Sequence, residues 1–277
     1  MATSPLRLSK RPLILLWLVL LLLAGVGWAI AAIQAKGMAN MADMREMARG
    51  PSPALLFLPV WVSMMAAMMF PSVVPMVSLF SAVGRSKRSA GGSAVPTWVF
   101  LAGYLAVWSL FGADAYLLSL AVPAVGMAGP GLLTHSPLVG GVVLVLAGLY
   151  QWSPLKGVCL RHCRSPLGFL LHSWRDGYRG AFSMGFTHGG YCVGCCWGLM
   201  VVLFAVGLMN LGWMVLLAAV IFAEKIVRRG PLIGRLAGFG LVVFGLTTLA
   251  APWLGTLYRL AVKAGMTPHI LWGIRFG

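Results

Sequence analysis

The sequence predicts an all-α protein, a polytopic transmembrane helical bundle of about seven spans with its amino terminus in the cytoplasm. Of its 277 residues, 60% are hydrophobic and only 9% are charged, which is far from the composition of soluble domains. Several apolar stretches reach the length of about 20 residues that a helix needs to cross the hydrocarbon core. No alternation of apolar and polar residues suggests a barrel. A lipid bilayer is therefore the expected solvent.

The predicted spans are apolar runs bounded by charged residues, proline or glycine. They lie near 13–33, 55–83, 96–122, 138–153, 180–208, 211–224 and 236–256. The first run follows three basic residues, as in a signal peptide, but it is long enough to span and lacks a small-residue cleavage site. We therefore expect it to be retained. No composition shift separates a second domain, so residues 1–277 are expected to form a single integral membrane domain.

Positive charge predicts the orientation of these spans. Of the 21 Lys and Arg residues, 15 lie in the four segments that are cytoplasmic when the amino terminus is inside. The positive-inside rule then favours this orientation. A net charge of +16 distributed in this way does not indicate nucleic-acid binding. The tail after Tyr258 would lie outside, or form an interfacial helix or a re-entrant segment.

The densest chemical signal is the segment HGGYCVGCC in the fifth predicted span. On a helix that turns 100° per residue, His188, Cys192, Cys195 and Cys196 fall within a 100° arc, and Met184 lies beside it. His188 and Cys196 are about 12 Å apart along the axis, whereas metal–ligand bonds are roughly 2.0–2.3 Å long. These side chains cannot all bind one ion. Either a neighbouring helix or loop completes a site, or the stripe holds several sites of low coordination.

A second group of candidate ligands lies in KGVCLRHC, after the fourth predicted span. It contains Cys159, His162 and Cys163, with a spacing looser than that of a zinc knuckle. All five cysteines of the chain fall between positions 159 and 196, in or near the predicted cytoplasmic half. Thiols stay reduced on that side of the membrane, so metal binding is favoured over structural disulfides.

Methionines form a third group on the other side of the predicted bundle. The second span contains Met64, Met65, Met68 and Met69, and the preceding outer loop places a methionine at every third position from Met38 to Met47. Thioethers are soft ligands that favour Cu(I). Methionine is also a flexible filler of helix interfaces, so a packing role remains open. The pattern predicts a series of Cu(I) sites of rising affinity from the outer methionines to the inner thiols.

Charged residues within predicted spans are few and therefore informative. Asp114, in the third span, is expected to be a buried metal ligand or a proton carrier. Glu224 closes the sixth span and is expected to pair with Lys225 or with another helix. The spacing Cys192-x-x-Cys195 also matches a redox dithiol, although the adjacent Cys196 and the predicted depth disfavour that interpretation. Nucleotide-binding, haem-attachment and zincin motifs are absent from the sequence.

The chain resembles an uncharacterised bacterial family of predicted metal-binding integral membrane proteins. The resemblance covers most of residues 55–226 and rests on MMAAMMFP at 64–71, AGLYQWSPLKGVCLRHCRSP at 147–166, GYCVGCCWGLM at 190–200 and the Glu-Lys pair at 224–225. It implies a multi-helix metal-binding membrane protein and no particular reaction. It also implies that the ligand positions are those of the five cysteines: Cys159, Cys163, Cys192, Cys195 and Cys196.

These observations together predict a protein that binds a soft metal, Cu(I) first and zinc as the alternative, and moves or delivers it. Its predicted partners are the lipid bilayer, the metal ion, and a larger membrane complex or a second copy of the chain. One alternative is an accessory subunit or metallochaperone of a cuproenzyme complex. Another is a membrane thiol redox protein. No residue is assigned a catalytic role.

Overall fold

In the computed structural model, residues 10–37, 53–89, 95–121, 132–208 and 210–263 are described, and they contain helices and no strands. The all-α prediction is therefore confirmed for this part of the chain. The helices are α1 Lys10–Gly37, α2 Pro53–Ser89, α3 Thr97–Ala121, α4 Leu132–His135, α5 Pro137–Tyr150, α6 Pro154–Arg164, α7 Pro166–Ser173, α8 Gly177–Val206, α9 Leu211–Ile226 and α10 Gly230–Lys263. The predicted outer series Met38 to Met47 lies outside the described residues, as does the end of the tail.

Five of the described helices are long and apolar enough to cross a membrane, namely α1, α2, α3, α8 and α10. Helices α5 and α6 pass the same test only as a pair, and a bend of 61° separates them, so they form a broken span or a re-entrant segment. The predicted span at 211–224 is α9, whose 16 residues are fewer than the roughly 20 needed to cross. The structure thus supports five spans, or six with the bent pair. Seven spans and a cytoplasmic amino terminus stay predictions.

Helices α2 and α8 lie at the centre of the bundle and α1 lies at its edge. In their most apolar windows, 61% of the residues of α2 and α8 are buried, against 17% in α1. Helix α8 packs closely on α3 because glycines let the backbones approach. A Cβ at Gly185 would overlap the Phe100 carbonyl, and one at Gly103 would overlap the Phe182 carbonyl. This close contact holds α3 and the cysteine-bearing face of α8 in a fixed relation.

Helix α2 is continuous although it contains three prolines, Pro59, Pro71 and Pro75. It is fixed to α3 by Trp61, whose indole Nε1 donates a 3.0 Å hydrogen bond to the Trp108 carbonyl. Helix α2 is therefore uninterrupted by its prolines, and its methionine-rich middle is buried inside the bundle.

The bend between α5 and α6 turns the chain so that α6 lies along α8. Ser153 ends the bend and caps α6, since its Oγ accepts a 3.2 Å hydrogen bond from the Lys156 backbone N–H, and Pro154 occupies the first turn. Helix α5 packs against α10 through Gly148 and Gly238, where a side chain would meet the opposing backbone. The bend thereby brings the cysteines of α6 to the cysteine face of α8.

Candidate metal site

Four thiols from two helices meet in one group, here called the cysteine cluster, which contains the half-buried Cys163 of α6 and the buried Cys192, Cys195 and Cys196 of α8. The Sγ atoms of Cys163 and Cys195 are 3.8 Å apart. The thiols of Cys195 and Cys196 donate hydrogen bonds of 3.1 Å and 2.9 Å to the Cys192 carbonyl. The three α8 cysteines are each 1% exposed. Helix α6 therefore brings a fourth thiol to the α8 stripe, in line with the first of the two predicted arrangements.

Cys159 lies beside the cluster rather than in it. Its thiol packs on the backbone of α8 at Gly194, where a Cβ would stand 2.6 Å from Sγ. A side chain at position 194 would push α6 away, so the glycine sets the distance between the two helices. All five cysteines are free thiols. The five predicted ligand positions are thus gathered at one helix contact, four of them facing one another.

The structure adds Lys225, Tyr104 and Ser72, which the sequence analysis did not select as site residues. The Cys192 Sγ lies 3.0 Å from the Tyr104 hydroxyl and 3.0 Å from the Lys225 ammonium. Lys225 also donates a 3.2 Å hydrogen bond to the Ser72 Oγ. A lysine inside an apolar segment is itself a signal of a functional site, so the position of Lys225 in the sequence could have identified it as a site residue. For Tyr104 the sequence holds no such signal.

Glu224 forms a buried ion pair with Lys156 of α6 and not with Lys225, so of the two predicted arrangements the contact with another helix is correct. The carboxylate and ammonium are 2.8 Å apart, and their side chains are 2% and 3% exposed. The Gln151 side-chain carbonyl accepts a further hydrogen bond from Lys156. Helix α6 thus neutralises Glu224. Within the described residues, Lys225 is left with the Cys192 sulfur and the Ser72 hydroxyl as its polar contacts.

His188 lies one helical turn before Cys192 on the same face and is 3% exposed. Aromatic rings surround its imidazole, with the Phe169 ring centroid at 5.3 Å and that of Phe100 at 6.0 Å. Its Nδ1 is buried without a hydrogen-bond partner among the described residues. An unsatisfied buried nitrogen is destabilising by about 1–3 kcal/mol, and such a group calls for an explanation such as an absent ion.

The methionines of α2 form a buried face that leads to the site. Met65, Met69, Ser72 and Met76 fall within a 60° arc of the helix, and Met68 widens it to 100°. Their burial is nearly complete, with exposures of 0% to 2% for the methionines. Because Ser72 contacts Lys225, this methionine face is the side of α2 turned toward the cysteine cluster.

The remaining predicted ligands lie at different distances from the cluster. Met64 is buried on α2 but falls outside the methionine face, and Met184 is buried on α8 two turns before Cys192. His162 precedes Cys163 and lines a surface cavity. Asp114 is exposed on α3, ten residues and about 15 Å beyond Tyr104, so the fold does not bring it to the cysteines.

Within the described ranges, no three or more His, Cys, Asp or Glu side chains are arranged to enclose a metal ion as they stand. The cluster is closed, because its thiols hydrogen-bond to the backbone and the Lys225 ammonium occupies one side of Cys192. Two sulfurs on one ion at roughly 2.3 Å lie about 3.8 Å apart in a tetrahedral arrangement and about 4.6 Å apart in a linear one. The 3.8 Å between the Cys163 and Cys195 sulfurs equals the sulfur–sulfur distance of a tetrahedral site. A linear site would need these two sulfurs to move apart.

A family model described as PpoB2, a copper chaperone, matches residues 58–248. The chain belongs to this family. The match supports the predicted link to copper, whereas metal binding by this chain stays a prediction. No curated protein and no solved structure matches the chain.

The PpoB2 match includes every residue of the site. The methionine face, Tyr104, all five cysteines and Lys225 lie inside the matched range, whereas Met38 to Met47 and the tail after Tyr258 lie outside it. The cysteine cluster therefore lies within the part of the chain that matches the family, and the outer methionine series has no support from the family match.

Proposed function

We propose that this PpoB2 family chain is a bacterial inner-membrane protein that binds Cu(I) in the cysteine cluster and delivers it to a partner. The observation that carries the proposal is the convergence of Cys163 with the thiols of α8 in a buried site. Thiolates are soft ligands that retain Cu(I). Five long apolar helices support the membrane location, and the family description supports copper as the cargo.

The charges around the cluster favour a copper–thiolate complex. Two thiolates and one Cu(I) carry a net charge of −1, and a buried net charge is destabilising unless it is paired. The Lys225 ammonium, 3.0 Å from the Cys192 sulfur, supplies the opposite charge. Glu224 does not compete for it, because that carboxylate is paired with Lys156. Lys225 thus serves as the counter-ion of the loaded site.

The methionine face favours Cu(I) over zinc. Zinc is bound by thiolate, imidazole and carboxylate, and a zinc site would leave the thioethers beside the cluster without a role. Thioethers bind Cu(I) without proton competition. In the proposed path, Met38 to Met47, outside the described residues, collect the ion, Met65, Met68 and Met69 pass it along α2, and the thiols retain it. His188, with its unpartnered Nδ1, supplies a further ligand one turn from Cys192.

The test is an anaerobic Cu(I) titration of the purified protein against a coloured chelator. We expect C192S and C163S each to weaken the tightest site by more than about 100-fold, the upper end of the effect of losing only an outer-shell partner. C159S is the matched control, because its thiol packs on Gly194 outside the cluster. Circular dichroism and size exclusion check that each variant is folded. Parent-like affinity in the C163S/C192S double variant would show that the proposal is wrong.

The family description also favours a second role, that of an accessory subunit which loads copper into a membrane cuproenzyme. Copper uptake by vesicles that contain the lone protein supports transport. Co-purification with a cuproenzyme, without uptake, supports the accessory role. Element analysis of the purified protein distinguishes copper from zinc. Thiol redox catalysis stays a prediction that dithiol-dependent reduction assays on C192S and C195S would test.

A further inference from the structure

A surface cavity of about 270 Å³ opens beside the cysteine cluster, where α6, α7 and α8 meet. Two histidines line it, His162 from the end of α6 and His172 from the end of α7, together with the aromatic rings of Phe169 and Tyr191. A cavity of this size has room for several waters, and therefore for a hydrated ion.

Both imidazoles are held in the same way. The His162 Nδ1 lies 3.0 Å from the Val158 carbonyl, and the His172 Nδ1 lies 2.8 Å from the Gly168 carbonyl. In both cases the carbonyl belongs to the residue four positions earlier, one turn back on the same helix. A carbonyl oxygen only accepts, so each Nδ1 is the donor. The lone pair of each neutral ring is then on Nε2. A backbone carbonyl that fixes the other ring nitrogen is the usual support of a metal-binding histidine.

The same geometry favours a cation over an anion in the cavity. The imidazole N–H groups are already used by the backbone, so the donors left for an anion belong to Arg161 and to the hydroxyl-bearing residues Ser165, Ser173 and Tyr191. Arg161 is the permanent cation among the lining residues, and its side chain is exposed, so solvent and salt screen its charge. Two Nε2 lone pairs are ligands for a soft or borderline metal ion.

The cavity is separated from the buried site by one layer of aromatic rings. The Tyr191 ring stacks on the His162 ring at 4.1 Å, and Tyr191 directly precedes Cys192. The Phe169 ring packs edge-on against His188, with centroids 5.3 Å apart. His162 directly precedes Cys163. The cavity and the cysteine cluster are therefore connected by two pairs of neighbouring residues, His162 with Cys163 and Tyr191 with Cys192.

We propose that His162 and His172 form an exchange site, which binds Cu(I) transiently between the cysteine cluster and a donor or acceptor at the surface. The choice of copper rests on the proposed function, whereas the imidazole pair does not. Copper stays in the +1 state throughout. As Cu(I) moves inward, two neutral imidazoles recover their lone pairs, each thiol that binds releases its proton to an imidazole or to water, and no electrons are transferred.

The experiment compares the parent protein with H162Q/H172Q, and with S173A as a control that lines the same cavity without an imidazole. Stopped-flow absorbance follows Cu(I) transfer from a coloured chelator to the cluster. We expect Cu(I) transfer to H162Q/H172Q to be slower than to the parent by about tenfold or more. An ion already bound to the histidines reaches the thiols in a unimolecular step, whereas without them each transfer needs a direct encounter between the chelator complex and the cluster. The equilibrium affinity of the cluster should stay within about twofold of the parent, since the tight ligands are unchanged.

X-ray absorption gives a second, independent measurement. A second equivalent of Cu(I), or of Ag(I), should bind through nitrogen ligands in the parent and in S173A. H162Q/H172Q should not bind this second equivalent. H172Q alone guards against a folding defect, because His172 is exposed and has no ring contact among the described residues. We expect it to slow transfer on its own.

Three results would overturn the inference: equal transfer rates in parent and H162Q/H172Q, a loss of cluster affinity in proportion to the loss of rate, or competition by inorganic phosphate for the cavity. Failure of the proposed function looks different. In that case the parent would have no thiol-dependent Cu(I) site at all, while nitrogen binding of Ag(I) in the cavity could still be measured.

Discussion

Breaking the ion pair between Lys156 and Glu224 by E224Q is expected to destabilise the protein by about 3–5 kcal/mol, since it leaves a buried ammonium without its counter-ion. The magnitude follows from burial: the side chains are 3% and 2% exposed, and their charged atoms are 2.8 Å apart. Gln151 alone cannot replace the lost charge. Natural proteins are stable by only about 5–15 kcal/mol, so such a loss is large.

Removing both charges should behave differently. In the double variant K156M/E224L no charge remains buried, and its stability is expected to lie near or above that of the parent, as for other buried pairs replaced by apolar residues. The exposed pair between Lys87 and Asp176 is the matched control. Its side chains are 40% and 65% exposed, so solvent and salt screen their charges and D176N should destabilise the protein far less than E224Q does.

The assay is equilibrium unfolding of the parent and the three variants in one detergent, followed by tryptophan fluorescence. The reasoning is refuted if E224Q loses less stability than D176N, or if the double variant is as unstable as E224Q. The first outcome would mean that water reaches the pair and screens its charges. The second would mean that the ion pair itself stabilises the α6–α9 contact and that apolar side chains cannot replace it.

Three further predictions concern other parts of the fold. Alanine at Gly185 would collide with the α3 backbone and should loosen the α3–α8 contact, measured as a lower Tm, whereas alanine at Gly190, where a Cβ meets nothing within 4 Å, should stabilise by about 0.5–1 kcal/mol. The indole N–H of Trp174 donates a hydrogen bond to Asp176 and holds the pKa of that carboxyl below its usual range. The contact therefore stabilises the fold above the ordinary aspartate pKa, and this stabilisation is lost as the pH falls through the lowered pKa. An NMR pH titration should find the low pKa of Asp176, and substitution of Trp174 by Phe should raise that pKa. Lys225→Met should weaken Cu(I) binding at least about tenfold, because two charges 4 Å apart interact by about 4 kcal/mol at an effective dielectric constant of 20. Lys225→Arg should retain most of the Cu(I) affinity in the same chelator titration. Equal affinity of the two variants would contradict a counter-ion role.

Much of the fold was readable from composition and periodicity. A run of apolar residues leaves the backbone no partner but itself in lipid, so helices follow from hydropathy alone. The helical stripe from His188 to Cys196 also follows from 100° per residue, and the structure buries that face as one surface. The sequence did not predict that α9 is too short to span or that α5 and α6 are separated by a bend of 61°. An apolar run does not show where a helix bends.

The amino-acid sequence by itself determined which side chains could bind a soft metal and on which helical face they lie, because both follow from chemistry and local geometry. Which of them meet was decided only by the tertiary structure. The bend after Tyr150 carries Cys163 to Cys195, the choice of Lys156 as the partner of Glu224 leaves Lys225 to Cys192, and Asp114 faces away from the cluster. Such contacts join residues 32 to 68 positions apart, and they depend on helix packing, which no local pattern records.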